Sequence, residues 1–440
     1  MDYISVAKHR NTFHTGNRRL LTFVLRLSMD SRYNLHSDVK GESAEYEAKK
    51  EYSFIAGSRS MLFNGPLNIL LPAAPIAFIS YGSGWPDGVT FVFSLLAIAP
   101  FAERLGFVTE QIALHTNDTV GGLLNATFGN ATELIVAIAA LSKGLYRLVQ
   151  LSLLGSILSN LLLVLGCAFF FGGLYHKEQY FGVISSQINS TLLMASVMGI
   201  LFPTAMTYAS EDSHLTEIGF SRATSFALFI LYFAFLYFQL FTHKEIYDSV
   251  VLPTPKEEPK IDKKEPLLQN NAEEEDEDED ILGLRYGIVW LTIITIFIAF
   301  LSDALVATIE NSAKGSGCSA VFLSTIVIPI VGNAAEHASA VTVAMKNKLD
   351  LSLGVAVGSS TQIALMVLPM LVLIGWCIDK DLSLNFHAYE AVSVALTVIL
   401  VTFAIKDGKS NWLLGFILII AYFIIAFGFF AEKDEDLDSQ

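Results

Sequence analysis

Four stretches of this chain, Leu148 to Tyr175, Gln179 to Ser210, Leu351 to Ile378 and Ser410 to Ala431, contain no Asp, Glu, Lys or Arg. Each reaches or exceeds the ~20 apolar residues that carry an α-helix across a bilayer. Further charge-free gaps at 66–86, 119–132, 223–243, 286–302 and 315–335 extend the pattern. Only 16% of the chain is charged, against about 25% in soluble domains. The pattern defines an all-α polytopic membrane protein. It excludes a secreted protein, a nucleic-acid-binding protein and a simple soluble enzyme.

Eleven spans are expected, at 66–82, 88–105, 119–142, 148–172, 187–208, 223–242, 285–304, 319–345, 351–376, 388–405 and 412–431. The first pair is the weakest, because Gly82-Ser-Gly-Trp-Pro86 reads either as a turn or as a break in one long segment. Residues 1–65 form a basic tail with ten Lys and Arg and no apolar core of a signal peptide. Residues 243–284 form an acidic, proline-containing linker that cannot bury a core. It separates a first membrane half, 66–242, from a second, 285–431, and residues 432–440 are an acidic tail. The net charge of −15 is therefore local. Eight consecutive acids, Glu273, Glu274, Glu275, Asp276, Glu277, Asp278, Glu279 and Asp280, carry much of it. Cys167, Cys318 and Cys377 are far apart and imply no disulfide framework.

The excess of Lys and Arg in cytoplasmic loops orients such proteins. With the basic amino terminus in the cytosol, Lys346, Lys348, Lys406, Lys409 and the acidic linker are cytosolic as well. Lys143 and Arg147 then fall on the far side, against the rule.

An internal repeat organises the membrane part. Gly129–Gly166 laid over Gly332–Pro369 without a gap matches at twelve of 38 positions, among them Gly129/Gly332, Asn130/Asn333, Glu133/Glu336, Lys143/Lys346 and Ser156/Ser359. Upstream, with a three-residue difference in loop length, Glu103 and Glu110 correspond to Asp303 and Glu310. The first copy begins on the cytosolic side and the second on the other, an inverted arrangement used by many secondary transporters.

The repeats place Glu133 and Glu336 in mid-span, where an ionisable group costs roughly 2.5–3.5 kcal/mol even on a lenient scale. Two such carboxylates together require neutralisation by protons or by a cation, and a divalent ion supplies both charges. Ca²⁺ takes six to eight oxygens. Gly129-Asn130 and Gly332-Asn333 are poor helix formers, and a break there frees carbonyl oxygens where the backbone lines a cavity. Ser156, Asn160, Ser359 and Gln362 add neutral oxygens. Sulfur and paired imidazoles are missing, which disfavours zinc or copper. His337 reads either as a proton-relay group or as a satisfied interior histidine. Glu103, Glu110, Asp303 and Glu310 are expected near span ends, where snorkelling makes charge inexpensive, with a role in ion access or gating. The acid run reads as a solvated linker or as an electrostatic attractor of cations.

These motifs resemble the cation/proton exchanger (CAX) family, the vacuolar Ca²⁺/H⁺ antiporters of the Ca²⁺/cation antiporter superfamily. The resemblance rests on Gly129-Asn-Ala-Thr-Glu133 with Leu151-Ser-Leu-Leu-Gly-Ser-Ile-Leu-Ser-Asn160, and on Gly332-Asn-Ala-Ala-Glu-His337 with Gly358-Ser-Ser-Thr-Gln362. It covers about residues 60–431, and Arg222 with Gln239 also fits it. The resemblance implies one amino-terminal helix plus two inverted five-helix repeats, with metal and proton site glutamates at Glu133 and Glu336 and the family's histidine at His337. Asp303 stands where plant-like members carry Glu. The expected function is exchange of cytosolic Ca²⁺ for lumenal H⁺ by alternating access at a vacuolar or other acidic membrane. No cofactor, nucleotide or nucleic acid is implied; the partners are Ca²⁺, protons and lipid. The rival readings are a Na⁺-coupled Ca²⁺ exchanger and a membrane Ca²⁺ sensor or scaffold acting through the acid run.

Overall fold

The computed structural model describes residues 57–59, 61, 65–116, 118–209, 214–248 and 281–432. The acid run 273–280 and the tails 1–56 and 433–440 lie outside the described residues. A 3₁₀ turn, Pro66–Leu70, leads into α1 (Ala73–Gly82), followed by α2 (Asp87–Leu114), α3 (Asp118–Phe128), α4 (Ala131–Ser142) and α5 (Tyr146–Tyr175). A two-residue strand β1 (Gln179–Tyr180) precedes α6 (Val183–Ala209), α7 (His214–Tyr237, extended by a π turn through Thr242) and the short α8 (Lys244–Asp248). The second half runs through α9 (Gly283–Ser316), α10 (Ala320–Gly332), α11 (Ala334–Met345), α12 (Leu349–Cys377), α13 (Ala388–Ile405), β2 (Lys409–Ser410) and α14 (Trp412–Ala431).

Among the described residues, eight helices are long and apolar enough to cross a bilayer, or nine when α10 and α11 are taken as one bent span. The stretches Leu67–Gly82 and Ala131–Ser142 are apolar but shorter. Within the stretch 243–284, α8 occupies Lys244–Asp248 and α9 begins at Gly283.

Helix α5 lies at the centre, with most of its length buried, whereas α7 and α14 turn large apolar side chains outward, among them Phe226, Phe233, Phe423 and Phe427. Small residues decide how closely the inner helices approach. Gly166 of α5 and Gly415 of α14 meet backbone to backbone, with no room for a Cβ on either. Gly155 of α5 is likewise pressed against the Thr325 carbonyl and Pro329 of α10.

Both Gly-Asn pairs break their helices, as their low helix propensity predicts. Asn130 (φ −113°, ψ 23°) ends the break between α3 and α4, and Asn333 (φ −93°, ψ 16°) sits between α10 and α11, which bend by 53°. The correspondence continues to the ends of the half-helices. Gly144 (φ 79°) and Asn347 (φ 60°), which align in the repeat, are both left-handed just past the ends of α4 and α11, where Gly or Asn closes a helix at least cost.

Candidate functional site

Each break makes its Asn the residue preceding a new half-helix and puts the glutamate three positions on, in the first turn. The positive end of a helix dipole favours a carboxylate there, so the breaks solve part of the cost of burying Glu133 and Glu336. The two side chains line one cavity. Neither Asn caps its own helix; both amides reach into the other repeat instead. Asn130 donates to Gln362 Oε1 at 2.6 Å and accepts from Ser359 Oγ at 2.8 Å. Asn333 donates to Asn160 Oδ1 at 3.1 Å, and Asn160 donates to Ser359 Oγ at 3.3 Å. A chain of amides and hydroxyls thus ties α5, α12 and the two breaks together. Two acceptors inside it, Glu336 Oε2 and Asn333 Oδ1, are buried without a hydrogen-bond partner. Unmatched oxygens beside two carboxylates suit a cation better than an anion.

The carboxylates form the floor of a cavity of about 1010 Å³. Its walls come from one side of the bundle: Glu110 near the end of α2, Ser186 and Asn189 from the start of α6, Gln239 from the end of α7, Thr342 from the end of α11 and Asp350 from the start of α12. Because successive spans alternate in direction, these termini share one face, the mouth. The opposite face is closed. There residues 378–387 cross the helix ends as an extended strap. Gln150 donates to the Ser383 and Asn385 carbonyls at 3.1 and 3.0 Å, the Leu384 N–H donates to Ser221 Oγ at 3.0 Å, and the Phe386 N–H donates to Thr204 Oγ1 at 3.0 Å. Those bonds satisfy backbone groups that no helix serves. Arg147 and Glu390 form a buried ion pair beside the strap.

Of the residues singled out by sequence, Gly129, Asn130, Glu133, Gly332, Glu336, Ser359 and Gln362 line the open cavity. Ser156 and Asn333 line a second pocket of about 30 Å³ on the far side of Glu133. His337 is half-buried, with Nε2 3.2 Å from Ser159 Oγ. Of the acids expected near span ends, Glu110 and Glu310 lie within two turns of the ends of α2 and α9, whereas Glu103 and Asp303 do not. Helices α2 and α9 run to Leu114 and Ser316, so Glu103 and Asp303 are well inside them. Glu103 and Glu110 line the cavity. Asp303 is on the closed face, where Lys143 Nζ reaches its Oδ1 at 2.7 Å and its carbonyl at 2.8 Å, and Tyr81 OH donates to Oδ2 at 3.2 Å. Glu310 is on the same helix as Asp303 and is not among the residues lining the open cavity. Arg222 pairs with Asp381 of the strap at 3.0 Å.

Sequence reasoning missed Ser159, Gln150, the cross-repeat targets of the two Asn amides and the Lys143–Asp303 pair. Only Lys143 carried a signal, as a repeat-matched residue at odds with the charge rule. Among the described residues no group of three or more His, Cys, Asp and Glu is arranged to hold a metal. A cation here depends on two carboxylates supplemented by amide, hydroxyl and carbonyl oxygens, which is hard-ion chemistry.

A broken-helix membrane protein with a carboxylate pair in a one-sided cavity has the form of a cation exchanger. The Sodium/calcium exchanger protein family model matches residues 88–241 and 286–431, the two membrane halves on either side of the linker, and the chain belongs to this family, among its cation/proton exchangers. It is 43% identical over 426 residues to Vacuolar cation/proton exchanger 3 of Oryza sativa subsp. japonica, covering 96% of both chains. It is 45% identical over 390 residues to Vacuolar cation/proton exchanger 2 of Arabidopsis thaliana, covering 88% of this chain and 86% of that one. The solved structure of native YfkE superposes with a TM-score of 0.68 at 34% identity, covering 83% of this chain and 100% of that one. The crystal structure of an H⁺/Ca²⁺ exchanger CAX shares the fold, with a TM-score of 0.59 at 12% identity over 86% of this chain and 93% of that one.

Proposed function

We propose that this protein is a secondary antiporter that moves Ca²⁺ from the cytosol into an acidic compartment in exchange for H⁺, at the vacuolar membrane. The membrane part is read as eleven spans, α1 followed by two inverted sets of five. The mouth carries the ends of the linker and the start of the first span, and is the cytosolic side.

The observation that carries this reading is the pair Glu133 and Glu336, each at the start of a half-helix and both lining one cavity. From a neutral cytosol the carboxylates lose protons and take the divalent ion, with Asn130, Asn333, Ser359, Gln362 and the carbonyls of Gly129 and Gly332 as supplementary oxygens. From an acidic lumen, protons compete and the ion leaves. The empty, doubly ionised site is too costly to carry across, so only loaded forms reorient. Each ligand shifts the balance of the two states by its differential affinity. His337, bonded to Ser159 on the central helix, stands next to Glu336 and acts in the proton step.

Names borne by relatives on both the plant and structural sides, cation/proton exchanger and Ca²⁺/H⁺ antiporter, favour protons over Na⁺ as the driving ion. The test is Ca²⁺ uptake into membrane vesicles with and without an imposed pH gradient, in the absence of Na⁺. Uptake dependent on the gradient, and lost in Glu336→Gln, supports the reading. Uptake that needs Na⁺ and ignores the pH gradient overturns it.

A further inference from the structure

The pocket of about 30 Å³ behind Glu133 repeats the open cavity in miniature. Glu133, Val136, Ser152 and Ser156 line it. Their counterparts in the second repeat, Glu336, Ser339, Val355 and Ser359, line the cavity of about 1010 Å³. Asn333 in the pocket likewise corresponds to Asn130 in the cavity. Equivalent residues of the two repeats thus enclose an open space on one face and a collapsed one on the other. The pocket holds the partnerless Asn333 Oδ1 and has room for about one water.

One further pair shows the same asymmetry, and a second sets equivalent charged residues at the two faces. Gly155 is clamped against the Thr325 carbonyl and Pro329, whereas its counterpart Gly358 faces open space. On the closed face, Lys143 at the end of α4 holds Asp303 of α9. The equivalent residues at the mouth are Lys346, at the end of α11, and Glu103 of α2. Glu103, which pairs with Arg104 at 3.4 Å, belongs to the cavity wall, and so does Thr342, one turn before Lys346.

We propose that the small pocket is the lumenal ion path in its closed form, that Lys143 on Asp303 is its latch, and that the path opens when this latch is exchanged for one between Lys346 and Glu103. The proposal rests on the alternating-access reading above and deepens it by naming the second path and both latches. Opening unclamps Gly155 from α10 and seats the α12 backbone at Gly358 against α3. Val136, two turns before Lys143 on the same face of α4, then becomes part of the lumenal wall with Ser152. A solvent-exposed ion pair is weak, which suits a contact that must break in every cycle.

The test uses the full chain in vesicles, with Cys167, Cys318 and Cys377 replaced. One variant carries Lys143→Cys with Asp303→Cys, the other Glu103→Cys with Lys346→Cys, and both are treated with a short reducible bis-thiol reagent. The first pair is expected to link in the resting protein, and the second only during turnover. Either link abolishes Ca²⁺ uptake, and reductant restores it. Gly358→Leu is expected to bind ⁴⁵Ca²⁺ in detergent as the parent does and to lose uptake. Failure of the second pair to link in vesicles that are turning over, uptake that survives the first link, or parental uptake by Gly358→Leu overturns the proposal. Uptake by the unlinked parent tests the antiport reading separately, and the linking yields read the latches whatever ion drives transport.

Discussion

Breaking the buried pair beneath the strap tests how the closed face is held. Arg147 and Glu390 side chains are 4% and 0% exposed. The guanidinium grips both carboxylate oxygens, NH1 reaching Oε2 at 3.2 Å, and NH1 also donates to Gln150 Oε1 at 2.7 Å. Gln150 in turn supports two strap carbonyls. Glu390→Gln keeps the size and still offers an oxygen to the His387 N–H, which Glu390 Oε2 now meets at 3.0 Å. The first-turn cap of α13 therefore survives, and charge is the variable removed. A buried guanidinium left without its counter-ion costs about 3–5 kcal/mol. The assay is equilibrium unfolding in mixed detergent–lipid micelles, completed as a cycle with Arg147→Met and the double replacement. The double variant is expected to lose less stability than the sum of the singles, with a coupling of about 2 kcal/mol or more. Additivity within about 0.5 kcal/mol refutes the idea that the pair acts as a unit.

Four more outcomes are expected from the geometry. Asn130→Ala leaves Gln362 and Ser359 each short of a partner, at about 1 kcal/mol apiece, and raises the Ca²⁺ concentration for half-maximal uptake about tenfold. Gly155→Val drives a side chain into the Thr325 carbonyl and costs about 3 kcal/mol, read as loss of the monodisperse peak in gel filtration, whereas Gly354→Ala enters open space and is tolerated. Raising lumenal pH to the cytosolic value removes the protons that displace the ion, so ⁴⁵Ca²⁺ accumulation falls; accumulation that rises contradicts the proton step. Deleting 273–280 leaves gradient-driven uptake in place, while Glu133→Gln stops it; the reverse pattern belongs to a sensor or scaffold working through the acid run.

The two Gly-Asn breaks were legible in the sequence because each was written twice, at matching places in the two repeats, around an unaffordable charge. The same doubling pointed to Glu133 and Glu336 as a pair. Partners across the bundle were not legible. Nothing in local spacing says that Asn130 serves Gln362, or that Gln150 holds a strap from the other half of the chain, since such bonds are set by which helices pack together. Helix lengths also escaped. Hydropathy marks where the bilayer stops, not where hydrogen bonding stops, so α2 and α9 carry Glu103 and Asp303 inside helices that were drawn to end near them. The asymmetry between the repeats, with one face open and the other latched, belongs to a conformational state, which a sequence does not choose.

In the proposed function one exchange at Glu133 and Glu336 is central: protons leave as the metal arrives. Adding Ca²⁺ to the purified protein in weak buffer, with released H⁺ and bound ⁴⁵Ca²⁺ measured together, tests it most directly. Proton release that tracks Ca²⁺ binding in the parent, with both signals lost in Glu133→Gln and in Glu336→Gln, is the predicted result. Ca²⁺ that binds without displacing protons, or binds undiminished in either variant, contradicts it.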